Sequence, residues 1–106
     1  MQTIIVKLDI EKLTNVDLSI SDRIVEKAEK ASGGMIVDGG YGYFSPDGSA
    51  AVWLNAENAA AGVELLIELF KNEKFCGNDL TNAAEIFTSE DEKALLFDCV
   101  KVFPIE

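Results

Sequence analysis

The chain has 106 residues, 48% of them hydrophobic, with 19 acids against 9 bases, a net charge of −10, two cysteines and no histidine. That length holds one core and not two, because domains run to about 100–150 residues, so residues 1–106 read as one globular domain. So high an apolar content excludes a disordered chain, and the acidity lacks the basic footprint that phosphate contacts demand, so no nucleic-acid partner is expected.

From Thr3 to Ile10 the side chains of Ile4, Val6, Leu8 and Ile10 share one face, and Thr3, Lys7 and Asp9 share the other. This period of two predicts a half-buried first strand. Its apolar opening is far shorter than the core of a signal peptide and has no basic lead-in, which points to a cytoplasmic chain. A polar connection through Thr14, Asn15 and Asp17 leads to Ser19 or Ser21, either of which can cap a helix with Ile20, Ile24, Ala28 and Ala31 on one side. Gly33-Gly34 ends that helix, since glycine takes the left-handed position at little cost.

Met35 to Phe44 and Ser49 to Asn55 read as second and third strands, joined by a turn at Ser45-Pro46-Asp47-Gly48. A second helix starts near Asn55 or Asn58 and runs to about Lys71. Val63, Leu66, Ile67 and Phe70 form its inward stripe, and Glu57, Ala61, Glu64, Glu68 and Lys71 its outward one. The apolar stretch from Ala59 to Phe70 is broken by Glu64 and Glu68 and falls short of the roughly 20 residues that cross a bilayer, so no membrane span is expected.

After Cys76-Gly77-Asn78-Asp79, a helical turn at Leu80 to Ala84 precedes a fourth strand at Glu85 to Thr88. A polar turn at residues 89–93 leads to a last strand from Ala94 to Phe103, stopped by Pro104. The order βαββαββ implies an α+β, two-layer sandwich of the ferredoxin-like βαββαβ kind with an extra C-terminal strand. Its sheet is mainly antiparallel, with two helices on one face and the other face open. Such a frame hosts many functions, so function has to be argued from the surface.

The chemistry available is narrow. Without histidine there is no Ser–His or Cys–His pair, and the commonest general base and metal ligand are absent. Cys76 and Cys99 stand 23 positions apart, form no CxxC motif, and read as free thiols. No catalytic residue, metal site or cofactor is implied, and the chain reads as a non-enzyme. Gly39-Gly40-Tyr41-Gly42-Tyr43 matches no phosphate-loop spacing and reads as a bulged, twisted stretch of strand.

What stands out is the distribution of charge. Residues 1–34 carry a net −1, residues 35–72 carry −4 and residues 73–106 carry −5. An acidic surface steers basic partners at high rates, and aromatic side chains lend contact area at low entropic cost. The first expectation is therefore an acidic interaction protein that binds a basic protein, as immunity proteins or nucleic-acid mimics do. Its interface would hold Asp38, Tyr41, Tyr43, Trp53, Glu64 and Glu68. The second is a small-ligand-sensing domain that forms a homodimer through the open sheet face. A third is an α/β-barrel enzyme, which needs a buried acid such as Asp38 or Asp98.

Overall fold

The computed structural model describes residues 1–13, 19–44, 49–75, 77–91 and 98–103. Strand β1 (Gln2–Asp9) is followed by a tight turn at Ile10–Lys12, helix α1 (Ile20–Ser32), strands β2 (Ile36–Phe44) and β3 (Ser49–Ala56), and helix α2 (Ala59–Asn72). The one-turn helix α3 (Leu80–Ala83) and strands β4 (Ala84–Ser89) and β5 (Val100–Phe103) complete the order. The five strands form one sheet in the order β2-β3-β1-β4-β5, with every neighbouring pair antiparallel. Strand β3 therefore lies between β1 and β2, and β1 lies between β3 and β4. The mixed α+β class and the single antiparallel sheet are as the sequence pattern predicts.

Each helix is set by local chemistry. Helix α1 ends with Gly33 at φ 64°, where Gly33 N–H donates to Lys30 O and Gly34 N–H to Glu29 O, the paired closure that a left-handed glycine permits. Ser32 Oγ then accepts from Ile36 N at 2.9 Å, which ties the helix end to the start of β2. At the head of α2, Asn58 Oδ1 accepts from Ala61 N at 3.2 Å. Gln2 reaches across from β1 and accepts from Ala59 N through Oε1 at 2.7 Å. Two of the donors that a helix start leaves free are thus satisfied, one of them from the neighbouring strand.

The main core lies between the helices and one face of the sheet. Ile4, Val6 and Leu8 of β1 are fully buried there with Ile24 and Ala28 of α1 and Leu66 and Phe70 of α2. Phe70 meets Phe75 edge to face at 5.5 Å. Helix α1 lies over β2 and β3, and α2 over β1, β3 and β4. At Gly62 α2 packs close to the sheet, since a Cβ there would stand 2.7 Å from Ile4 Cδ1.

Several expectations are corrected. β1 is not half-buried, because Thr3 and Ile5, on the side away from the helices, are as fully enclosed as Ile4. Ile5 stands opposite Trp53 in the sheet and packs with Ala51 and Trp53 into a second cluster, joined by Phe87 and Cys99. The centre of the face expected to be open is thus buried within one chain. β1 also stops at Asp9, whose Oδ1 accepts from Glu11 N at 3.1 Å and turns the chain, so Ile10 opens the tight turn.

Strand β2 is an edge of the sheet and β3 lies inside it. The last strand begins at Val100 and not at Ala94: Asp98 and Cys99 precede it in a turn and a bend, and residues 92–97 lie outside the described residues. The expected turn at Ser45–Gly48, the connection at 14–18, Cys76 and Pro104 lie outside them too.

Candidate functional site

Two surface grooves flank the sheet, one at each edge. At the β2 edge, five residues of β2 from Asp38 to Gly42 run against only three of β3 from Leu54 to Val52, so the edge strand bulges. Its geometry follows from three neighbours. Asp38 Oδ1 accepts from Gly40 N at 2.8 Å, Gly40 takes φ 76°, and Gly39 lies so close to β3 that a Cβ would come within 2.5 Å of the Trp53 carbonyl oxygen. Glycine is needed at Gly39 for approach and at Gly40 for conformation.

Beside this bulge, α1 and β2 enclose a groove of about 680 Å³. Asp22, Glu26 and Glu29 recur at intervals of four and three and so form one stripe along α1, and Asp38 faces them from β2. Lys30 is the one base in the described lining. Arg23 approaches Glu26 at 3.6 Å on the exposed surface, where such a pair contributes little.

The second groove, of about 700 Å³, opens between the head of α2 and strands β4 and β5. Its apolar lining is Ala59, Ala60, Val63, Val100 and Val102, and its polar lining includes Thr88, Ser89 and the exposed carboxylates of Glu90 and Asp98. Gln2 and Asn58, the two residues that cap α2, stand at the same end.

The six expected interface residues do not fall on one surface. Asp38 is exposed in the α1–β2 groove, and Glu64 and Glu68 are exposed on the outer face of α2. These three carboxylates share the helical side of the molecule. Trp53 lies on the other side of the sheet and is only 8% exposed, so its ring serves the second cluster. Tyr41 and Tyr43 sit on β2, Tyr43 opposite Ala51, and their side chains lie outside the described set. The α1 stripe of Asp22, Glu26 and Glu29 was missing from the expected interface, although its spacing is legible along the helix.

Asp38 and Asp98, the carboxylates on which a buried catalytic acid would rest, are both exposed. Among the described residues no three acid or thiol side chains are grouped to hold a metal ion, and no helix is long and apolar enough to cross a membrane. Cys99 is a free thiol, half-buried against the second cluster. Burial pushes its pKa up, and the charge of Asp98 pushes it further in the same direction. At the start of α3 the hydroxyl and then the backbone N–H of Thr81 hold the Asp79 carboxylate below its ordinary range, at 2.6 and 3.0 Å.

No family model, curated protein or solved structure matches the chain.

Proposed function

We propose that this chain is a non-enzymatic interaction protein whose acidic helical side binds a basic protein and occludes that partner's cationic surface. The observation that carries the reading is the α1–β2 groove, whose described lining holds four acids, Asp22, Glu26, Glu29 and Asp38, and one base, Lys30. Glu64 and Glu68 extend the same sign of charge over the outer face of α2. Fields of one sign over a continuous surface speed encounter with an oppositely charged partner and penalise like-charged ones. The framework proposed beneath this surface is ferredoxin-like with a fifth edge strand, a reading supported by the interleaved order of β1, β3 and β2 and of β3, β1 and β4.

A homodimer across the opposite sheet face is the weaker reading. Thr3, Ile5, Ala51 and Trp53 are already buried there within one chain, leaving little apolar area at the centre for a second copy to cover.

The test is affinity capture from the native lysate with the full chain as bait, washed from about 0.1 M to about 1 M salt, over which the screening length falls from about 10 Å to about 3 Å. One stoichiometric protein of high isoelectric point, released by the high-salt wash, is the expected result. Recovery of the bait alone, or of a partner held equally well at both salt concentrations, contradicts the reading.

A further inference from the structure

Strands lie about 4.8 Å apart and packed helices about 8–10 Å apart, so two helices side by side roof about four strands. This sheet has five. Helix α1 stands over β2 and β3 and α2 over β1 and β4, so β5 projects past the helical layer. The register shows which of its residues look under the missing roof. Ile4 points into the core, Thr88 stands opposite Ile4, and Val100 stands opposite Thr88, so Thr88 and Val100 face the helical side, with Val102 two residues on. Val100 is 69% exposed, one of two exposed large hydrophobic side chains among the described residues. Ala59 and Ala60 of α2 line the groove of about 700 Å³ with small side chains.

We propose that this groove is a binding site for a small organic cation, a primary amine carried on a ring or a short apolar chain. Size argues for a small molecule. The volume lies within the range of about 300–1,000 Å³ typical of ligand sites. The lining spans about 7 Å from Val100 to Val102 and about 7.5 Å of α2 from Asn58 to Val63, whereas a docked helix of three turns needs about 16 Å.

Charge argues for a cation. The described lining holds Glu90 and Asp98 and neither lysine nor arginine. Two of the donors at the start of α2, which favour an anion, are already taken by Gln2 Oε1 on Ala59 N and by Asn58 Oδ1 on Ala61 N. An apolar body resting on Val100, Val102 and Val63 would place its ammonium group at the two exposed carboxylates.

The probe is benzylammonium, titrated into the ¹⁵N-labelled full chain with benzyl alcohol and benzoate as neutral and anionic matches. Saturable amide shifts confined to Ala59, Ala60, Thr88, Ser89 and Val100 are expected. Binding should weaken about fivefold for benzyl alcohol, and by a similar factor in the Glu90→Gln/Asp98→Asn variant, the size of two partly solvated charge contacts. Ala60→Phe, which fills the groove from an exposed position, should abolish the shifts. Should that variant fail to fold, the exposed carboxylate pair carries the test. Equal affinity for benzyl alcohol, unchanged affinity in the carboxylate variant, shifts centred on Asp22 to Glu29, or no saturation up to about 10 mM, a limit weaker than the 1 mM affinity worth about 4 kcal/mol, would overturn the proposal.

Discussion

At the β2 edge a nine-residue strand lies under α1 and bulges where Gly39 closes on Trp53, while at the β5 edge a four-residue strand runs out beyond the last helix. Both edges border grooves of similar volume, about 680 and 700 Å³, and the grooves differ in what walls them. Beside α1 the wall carries the stripe of Asp22, Glu26 and Glu29, so acids outnumber the one base, Lys30, in the described lining. Beside α2 the walls are Ala59, Ala60 and Val63 of the helix and Val100 and Val102 of the strand, so the groove mixes an apolar lining with two carboxylates, Glu90 and Asp98. The part of the helical layer beside each sheet edge thus decides whether that edge offers a mainly acidic groove or one with an apolar lining.

The comparison breaks first at the layer itself. Phe70 is buried beneath α2 against Phe75, so Phe70→Ala should cost about 3–5 kcal/mol in urea unfolding, the range for emptying a buried aromatic site. A cost under about 1 kcal/mol would mean that α2 is not anchored as described. The β2 edge comes next. Gly39→Ala sets a Cβ against the Trp53 carbonyl and should destabilise by about 1–3 kcal/mol, as overpacking does. Hydrogen exchange should then show lost protection in β2 and not in β5.

At the head of α2, Gln2→Ala removes the acceptor for Ala59 N and should cost about 1 kcal/mol, with faster amide exchange confined to the first turn of α2. Val100→Ala, at the exposed β5 edge, should stay within about 0.5 kcal/mol of the parent, in contrast with Gly39→Ala at the opposite edge.

The smallest effect concerns reactivity and not stability. With Cys76→Ser as background, Cys99 should alkylate more slowly than a free thiol at neutral pH. Its rate should rise only as pH climbs past the ordinary thiol range, because burial and Asp98 both disfavour the thiolate. Asp98→Asn should shift that rise to lower pH, and a rate equal to that of free cysteine would remove the claim that Cys99 packs against the second cluster.

Much of the frame was legible in the sequence because local chemistry set it. Of the expected stripe of α2, Val63, Leu66 and Phe70 are buried and Ile67 is half-buried; of its two expected starts Asn58 is the cap and Asn55 lies in β3; and Gly33-Gly34 ends α1 as expected. Harder to read was what depends on neighbours far along the chain. Ile5 breaks the alternation of β1 because Trp53 and Ala51 cover it from β3, and Trp53 turns from candidate interface residue to packing residue for the same reason. The short β5 was misjudged because the apolar run from Ala94 to Phe103 has no period that separates strand from turn. The acidic stripe of α1 carried a readable spacing, yet its importance appears only when the topology sets β2 and Asp38 beside it.

The most direct test of the acidic-surface account is affinity capture repeated with charge reversals at the two edges, each variant checked for an unchanged fold. Asp22→Lys/Glu26→Lys/Glu29→Lys should lose the basic partner, whereas Glu90→Lys/Asp98→Lys should retain it. Loss of the partner from the second variant with retention by the first would contradict the account and place recognition at the β5 edge.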